Sequence, residues 1–268
     1  MDNQGLLAEM ARIARLAGEA ILEVYQRADL GVQTKADDSP LTAADLAAHK
    51  IIVSELQKAA PEIPVLSEES DALPYAERRS WSRYFLVDPL DGTKEFVNRN
   101  GEFTVNIALI EANQPVLGAV FVPVQDKMYL GDVTARSALR QDAQGEQAIK
   151  ARPNQGSELT VVASRRHGAE ALQTLMTRLQ QDFTVTTENY GSSLKFCMIA
   201  EGRADLYPRF APTSEWDTGA AQAVVEAAGG RVVDLQFQPL RYNAKADILN
   251  PEFLVLADPD FDWQRYLQ

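Results

Sequence analysis

The sequence predicts an α+β protein in which helices are layered on mixed β-sheets. Apolar residues recur at steps of three and four over residues 4–26, as they do on the buried face of a helix. Several apolar, β-prone runs follow one another between residues 104 and 131. After residue 158, strand-like and helix-like segments alternate, which favours helices packed on a sheet.

The first half of the chain contains two predicted helices followed by a series of strands. The first helix is predicted over residues 4–26 and the second over 43–59, where Thr42 and Asp45 match a helix-capping pattern. The polar segment 35–40 forms the loop between them. Strands are predicted over residues 63–67, 84–87, 104–111, 116–122 and 127–131.

The second half follows a polar stretch, residues 141–157, which is the candidate domain boundary. Strands are predicted over residues 159–163, 183–187, 204–207, 231–233 and 253–256, and helices over 168–181, 193–201 and 216–228. The sequence therefore predicts an N-terminal α+β domain, residues 1–150, and a C-terminal α/β domain, residues 151–268.

Composition excludes several classes of function. Lys and Arg total 26 against 38 Asp and Glu, so the net charge is −12, which argues against nonspecific binding to nucleic acid or to anionic membranes. The single cysteine, Cys197, cannot form an intrachain disulfide, and the two histidines, His49 and His167, are too few for a Cys/His zinc site. No secretory signal or 18-residue apolar run is seen, so we expect a cytoplasmic protein without an integral membrane segment.

Three acidic motifs lie at the ends of apolar elements, at residues 67–70, 88–93 and 215–217. Asp88 directly follows a strand-like run, and Asp91 returns a second carboxylate to the same neighbourhood. Gly92 allows a ligand to approach the backbone closely, and Thr93 begins a short helix whose free N–H groups could hold a phosphate. Carboxylate oxygens are the ligands that hard divalent cations prefer.

Convergence of Glu68, Asp88, Asp91 and Asp217 would place four like charges in one pocket. Two unit charges ~4 Å apart repel by about 4 kcal/mol at an effective dielectric constant near 20. Bound Mg²⁺ ions would neutralise them and leave room for a phosphate. Each motif alone also has an ordinary interpretation as a turn, a solvated acid, a helix-terminal charge or a cap. The Asp-x-Asp loop of haloacid-dehalogenase phosphatases is excluded, because two residues separate Asp88 from Asp91.

Taken together, these motifs resemble the signatures of the inositol monophosphatase superfamily. The likeness covers about Gly18 to Ala257 and is carried by Asp88-Pro89-Leu90-Asp91-Gly92-Thr93, Trp216-Asp217 and Glu226-Ala227-Ala228-Gly229-Gly230. Within the superfamily the chain is most similar to bacterial 3′(2′),5′-bisphosphate nucleotidases of the CysQ type, on the segments 35–40, 88–96, 191–196 and 204–209. Gly219 departs from the pattern, which has alanine there.

The resemblance implies a layered α/β/α/β/α sandwich of two domains with two or three Mg²⁺ ions at their junction. Glu68, Asp88 and the backbone carbonyl of Leu90 would hold one ion, and Asp88, Asp91 and Asp217 a second, so that most ligands belong to the N-terminal domain. Asp45, Thr93 and Glu68 are the implied catalytic residues, the first two orienting the attacking water. The implied substrate-binding residues are Glu68, Leu90, Asp91, Gly92, Thr93, Ser192, Lys195, Arg209 and Asp217.

The implied reaction is Mg²⁺-dependent hydrolysis of the 3′-phosphate of adenosine 3′,5′-bisphosphate (PAP), and by extension of its 5′-phosphosulfate analogue PAPS. It would give AMP and phosphate by in-line attack of an activated water, as a step that serves sulfate assimilation. Two alternatives stay open: an inositol or sugar phosphate phosphatase on the same scaffold, and a noncatalytic nucleotide sensor. The resemblance also implies a monomer or homodimer, with peripheral association at the inner membrane as a family-level alternative.

Overall fold

The computed structural model describes residues 1–34, 40–71, 73–154, 156–163 and 169–267. Most of the predicted polar loop, residues 35–39, lies outside this range. The helices are α1 (Asn3–Tyr25), α2 (Ala43–Ala59), α3 (Tyr75–Arg78), α4 (Thr93–Val97), α5 (Ala169–Leu179), α6 (Leu194–Ala200), α7 (Gly219–Ala227) and α8 (Gln264–Leu267), with 3₁₀ turns at Pro123–Gln125 and Glu215–Asp217. Among the described helices, none has both the length and the apolar character that crossing a membrane requires.

The strands form one short pair and two sheets. The antiparallel pair β1 (Gln33–Thr34) and β2 (Pro40–Leu41) precedes α2. The larger sheet contains β3 (Val65–Ser67), β4 (Arg83–Asp91), β5 (Thr104–Glu111), β6 (Gln114–Val122), β7 (Lys127–Asp132), β8 (Ser137–Asp142) and β9 (Gly145–Ala148), in that order. Only the β3–β4 pairing in this described sheet is parallel.

The smaller sheet is mixed and belongs to the second half of the chain. Its strands are β10 (Glu158–Ala163), β11 (Thr184–Asn189), β12 (Leu206–Arg209), β13 (Arg231–Asp234) and β14 (Phe253–Leu256). Their spatial order is β11-β10-β12-β14-β13, with β10 parallel to both of its neighbours. The larger sheet ends at Ala148 and the smaller begins at Glu158, on either side of the expected boundary. The division into two domains at residue 150 itself stays a prediction.

Three apolar clusters define the order of the layers. Helices α1 and α2 cover one face of the larger sheet, where Ile52 of α2 and Phe85 of β4 are fully buried in one cluster. Helices α6 and α7 lie between the two sheets, and Val224 of α7 shares a cluster with Val255 of β14. Helices α5 and α8 cover the outer face of the smaller sheet, around Leu175. The predicted α/β/α/β/α layering is therefore confirmed.

Local sequence explains the elements that carry the site. Helix α2 has the predicted bounds, and its N-terminus has a capping box in which the Thr42 hydroxyl accepts from the backbone of the first turn and Asp45 accepts from the backbone of Thr42. The predicted helix over 216–228 begins differently. Asp217 closes a 3₁₀ turn, and α7 starts only at Gly219, so the predicted start of this helix at residue 216 is wrong.

Two further differences have simple physical reasons. The β8–β9 hairpin was not predicted, because its polar residues resemble a loop and most of its positions are partly or fully exposed. Strand β4 was predicted to end at Val87 but continues to Asp91, since pairing with β5 resumes beyond an irregularity. This extension keeps the 88–91 segment within the sheet.

Helix α7 lies unusually close to the backbone of the larger sheet. A Cβ added to Gly118 of β6 would stand 2.1 Å from the carbonyl oxygen of Ala220, and one added to Gly131 of β7 would stand 2.6 Å from Cα of Val224. Glycine at these two positions removes the side chains that would hold the helix away. The contact fixes the height of α7 above the sheet.

Candidate active site

The end of strand β4 directs two carboxylates toward one edge of the larger sheet. Asp88 pairs with Asn106 of β5 and Asp91 pairs with Thr104, so three steps along β4 match two steps along β5. The extra residue makes a β-bulge, a device that redirects side chains next to active sites. The backbone N–H of Leu90 donates to Oδ1 of Asp88 at 3.0 Å, which fixes the turn between the two acids.

Three carboxylates from separate parts of the chain converge at this edge. One oxygen each from Glu68, Asp88 and Asp217 lies within 4.8 Å of the others. Glu68 follows β3, and its N–H donates to the carbonyl of Val87 at 3.0 Å, because β3 runs parallel to β4 with Ser67 opposite Val87. Asp217 comes from the 3₁₀ turn before α7, where its Oδ2 accepts from the N–H of Ser214 at 2.8 Å.

Burial and mutual repulsion raise the pKa values of these acids. The pKa of Asp88, which is only 1% exposed, is raised well above its usual range by burial and then by Glu68 and the neighbouring aspartates. Burial together with Asp91 and Glu68 raises the pKa of Asp217 to about 8. A divalent cation would relieve this repulsion, and the all-oxygen donor set suits a hard ion. The residues present therefore fit a metal centre.

Asp91 faces the same cavity but is held differently. Its Oδ2 accepts from the N–H of Ser193 at 2.6 Å and from the amide of Asn106 at 3.4 Å. It is not part of the three-acid group among the described residues. Burial raises the pKa of Asp91 to about 6, although Lys195 and the Ser193 N–H both act to lower it.

Asp45 and Thr93 form a contact pair beside the acids. The hydroxyl of Thr93 donates to Oδ1 of Asp45 at 3.3 Å, with the carbonyl of Leu90 as a second acceptor at 3.4 Å. The other carboxylate oxygen of Asp45 accepts from the N–H of Thr42 at 2.8 Å and from its hydroxyl at 2.5 Å. Asp45 is thus anchored on one oxygen and bonded to Thr93 on the other. Burial raises its pKa.

Gly92 connects the bulge to α4 in a conformation that side-chain-bearing residues rarely adopt. Its φ is 91°, and a Cβ there would stand 3.1 Å from the carbonyl oxygen of Glu102. Glycine therefore allows the chain to turn directly from Asp91 into Thr93.

Two adjoining cavities collect most of the predicted site residues. A cavity of about 360 Å³ is lined by Glu68, Asp88, Leu90, Asp91, Gly92, Thr93, Arg209 and Asp217. A second cavity, of about 190 Å³, shares Asp91, Gly92, Arg209 and Asp217 with the first and adds Ser192 and Lys195. Asp45 lines neither cavity and reaches the site through its contact with Thr93.

Lys195 and Arg209 line the second cavity, and each donates to backbone carbonyls. The ammonium of Lys195 donates to the carbonyls of Ser192 at 2.6 Å and Tyr190 at 3.2 Å, and it lies 5.4 Å from the centroid of the Tyr207 ring. Burial lowers the pKa of Lys195 to about 8, opposed by the charge of Asp91. Arg209 donates to the carbonyls of Ala211 and Pro212, at 3.1 Å each.

Sequence reasoning missed two buried polar residues that hold the site, Asn106 and Ser193. Both are 1% exposed. Asn106 had a signal, since it is an amide side chain in a strand whose other interior residues are apolar. Ser193 adjoins the selected Ser192, but its bond to Asp91 joins residues 102 positions apart and leaves no local pattern.

Comparisons of the sequence with known proteins find one family along nearly the whole chain. A sequence profile described as the inositol monophosphatase family matches residues 2–258. The chain is 46% identical over 251 residues to the 3′(2′),5′-bisphosphate nucleotidase CysQ of Escherichia coli (strain K12), covering 93% of this chain and 99% of that protein. The CysQ nucleotidase of Haemophilus influenzae is 33% identical over 267 residues, covering 99% and 98%.

Solved structures give the same result. The crystal structure of CysQ from Bacteroides thetaiotaomicron, a bacterial member of the inositol monophosphatase family, has a TM-score of 0.85 and 40% identity, covering 96% of this chain and 99% of that one. The suhB protein of Bartonella henselae has a TM-score of 0.80 at 23% identity, covering 98% of both chains, which shows a shared fold.

Proposed function

Because the chain belongs to the inositol monophosphatase family, we propose that it is a magnesium-dependent 3′(2′),5′-bisphosphate nucleotidase. Its substrate is PAP, from which it removes the 3′-phosphate to give AMP and phosphate, with PAPS as a second candidate substrate. The observation that carries the proposal is the convergence of Glu68, Asp88 and Asp217 within 4.8 Å, beside the Thr93–Asp45 pair. The names of the CysQ relatives, at 46% and 33% identity, support the choice of substrate.

We propose that the acidic cluster holds two or three Mg²⁺ ions. Glu68, Asp88 and the carbonyl of Leu90 would hold one ion, and Asp88, Asp91 and Asp217 a second. Bound Mg²⁺ supplies Lewis-acid chemistry that lowers the pKa of water and stabilises charge on phosphate oxygens. The density of buried carboxylates supports this assignment, since their mutual repulsion raises the pKa values of Asp88 and Asp217.

The chain's own groups then orient the reactants. The Thr93 hydroxyl donates a hydrogen bond to Asp45, so Thr93 can take a proton from the attacking water while its own proton passes to Asp45. Asp45 is fixed by Thr42 and has a raised pKa, which suits a group that takes up a proton during turnover. The backbone N–H groups of Gly92 and Thr93 are the proposed donors to the phosphate oxygens.

On the leaving-group side, we propose that the second cavity receives the nucleotide. Ser192, Lys195 and Arg209 line it and would contact the remaining phosphate and the nucleoside. The side chains of Lys195 and Arg209 supply positive charge in an otherwise acidic protein. A cytoplasmic location and a monomeric or homodimeric state also remain proposals, and peripheral membrane association is not proposed.

A phosphate-release screen tests the substrate. With Mg²⁺ present, we expect kcat/KM for PAP to exceed that for inositol 1-phosphate and for fructose 1,6-bisphosphate by about 100-fold or more, because a site with polar groups placed for one substrate discriminates strongly. A higher kcat/KM for inositol 1-phosphate or for the sugar bisphosphate would contradict the assignment of PAP as the substrate. Calorimetric binding of PAP without phosphate release would instead indicate a sensor.

Magnesium is expected to stabilise the fold, and to do so more strongly at pH 8 than at pH 6. The pKa of Asp217 is raised to about 8, so the folded state keeps a proton that the unfolded chain loses near pH 4. Stability without cations therefore falls as the pH rises from about 4 to about 8. Cations present at 100 times their Kd add about 2.7 kcal/mol to the free energy of unfolding. For a chain of this size that is roughly 5–10 °C in Tm.

Differential scanning fluorimetry in Mg²⁺ and in EDTA, at matched ionic strength, measures this effect. The same comparison on Asp88→Asn is the control, since that variant lacks a proposed ligand. An equal Tm increase at both pH values, or an undiminished increase in the variant, would contradict the assignment of the cations to this cluster.

A further inference from the structure

Ser193 connects the two halves of the chain at a proposed metal ligand. Its backbone N–H donates to Oδ2 of Asp91 at 2.6 Å, the shortest of the contacts described for that carboxylate. Ser193 immediately precedes α6 in the second half of the chain, whereas Asp91 ends β4 in the first. The shorter of the two described bonds to Asp91 therefore comes from outside its own sheet.

The side chain of Ser193 is anchored to the larger sheet. Its hydroxyl donates to the side-chain oxygen of Asn106 at 2.9 Å and lies 2.8 Å from the hydroxyl of Thr104. Since the single hydroxyl proton of Ser193 is used on Asn106, Thr104 is the donor in the second bond. All three residues are at most 1% exposed, so water cannot easily replace a lost partner.

A closed ring of hydrogen bonds results. Asn106 accepts from Ser193 through its oxygen and donates to Oδ2 of Asp91, at 3.4 Å, through its nitrogen. Both described donors to Asp91 thus act on Oδ2, which leaves Oδ1 available to a cation. Polar groups that orient a ligating carboxylate in this way commonly set the affinity of the metal.

The same segment also borders the second cavity. Ser192 has a φ of 46°, in the left-handed region, and its carbonyl accepts from the ammonium of Lys195 at 2.6 Å. The N–H of Gly191 donates to the carboxylate of Glu102 at 2.7 Å. These bonds hold the segment in a conformation that brings the Ser193 N–H onto Asp91.

We propose that Ser193 is a positioning residue that sets the Mg²⁺ affinity of the site by holding Asp91, with Thr104 acting through the Ser193 hydroxyl. The inference rests on the proposed function for the identity of the cation, and on the described hydrogen bonds for the role of Ser193. It assigns to the second half of the chain control over a ligand that belongs to the first half.

The test compares Ser193→Ala with Thr104→Val, which replaces the Thr104 hydroxyl by a methyl group of similar size. We expect each to weaken Mg²⁺ binding, measured by titration calorimetry without substrate, by about 10-fold. The double variant should bind Mg²⁺ about as weakly as Ser193→Ala alone, because both changes break one chain of contacts. In PAP hydrolysis, the Mg²⁺ concentration for half-maximal activity should rise by the same factor, with kcat largely restored at saturating Mg²⁺.

A merely structural role would give a different pattern, in which activity falls at every Mg²⁺ concentration and excess Mg²⁺ restores nothing. Thr160→Val is the matched control: it removes a half-buried hydroxyl of the smaller sheet that accepts from Arg152, and it should leave Mg²⁺ affinity unchanged. Wild-type Mg²⁺ affinity in both Ser193→Ala and Thr104→Val would overturn the inference. Failure of the proposed function would appear separately, as wild-type protein that binds Mg²⁺ but releases no phosphate from PAP.

Discussion

Replacing Asp88 by Asn is expected to reduce PAP hydrolysis by about 1,000-fold or more. Asp88 is the acid that contributes to both proposed cation sites, and preorganised charge stabilisation of this kind often contributes more to catalysis than any other effect. The side-chain oxygen of Asn can still accept from the N–H of Leu90, so the turn at the bulge is retained. The loss should therefore reflect missing charge and not a missing fold.

The same substitution should raise the stability of the cation-free protein. Asp88 is buried, and its charge is opposed by Glu68, Asp91 and Asp217. A neutral amide removes that repulsion, so Tm in EDTA is expected to increase although the rate of PAP hydrolysis falls. The matched control is Asp260→Asn, an exposed aspartate of the second half, for which both quantities should be unchanged. Full activity in Asp88→Asn would refute the proposed metal site.

Replacing Asp45 by Asn is expected to lower kcat for PAP by about 100-fold or more, with little change in Mg²⁺ affinity. Loss of a positioned general base typically costs about 10²- to 10⁴-fold, and Asp45 is the acceptor of the Thr93 hydroxyl. Asp45 lines neither cavity, so substrate binding should be nearly unaffected and KM should stay within about twofold. Steady-state kinetics at saturating Mg²⁺ measure the change.

Variants at Thr93 test whether Thr93 and Asp45 act together in one proton transfer. Thr93→Val should cost about as much as Asp45→Asn, and the double variant should be little worse than either, since residues that act together are not additive. Thr93→Ser keeps the hydroxyl and should retain most of kcat. If the two single losses simply multiply, or if Thr93→Ser is as impaired as Thr93→Val, the two residues do not share one proton path.

Asp45 also caps α2, so stability must be followed in these variants. Loss of a helix cap commonly costs about 1 kcal/mol. The capping bonds are made by Oδ2, and the Thr93 bond by Oδ1. A drop in Tm without a drop in kcat would assign Asp45 to the helix alone.

Local sequence predicted the elements that bear their own signals. The capping pattern of Thr42 and Asp45 predicted the observed start of α2, because both partners lie within one helical turn. The apolar residues of β5 and β14 likewise gave strands with the observed limits. The acidic motifs were recognisable because each adjoins the end of an apolar element, where a side chain can leave the core.

Other features depended on contacts between distant residues. The break between the 3₁₀ turn that carries Asp217 and helix α7 was not predicted, although the capping box of Ser214 and Asp217 around that turn is local. The ring formed by Asp91, Asn106 and Ser193 joins three segments, and its members are ordinary polar residues when considered singly. Such networks become visible only when the fold has brought their members together.

The close seating of α7 against Gly118 and Gly131 makes the catalytic geometry depend on positions where no chemistry occurs. The turn carrying Asp217 leads directly into this helix. The position of the turn therefore depends on the lack of side chains at Gly118 and Gly131, which lets α7 approach the sheet. The distance between Asp217 and the acids of the larger sheet consequently depends on how closely α7 can approach the glycines of that sheet. Substitutions at Gly118 or Gly131 would therefore change the affinity for the proposed cations without altering any proposed ligand.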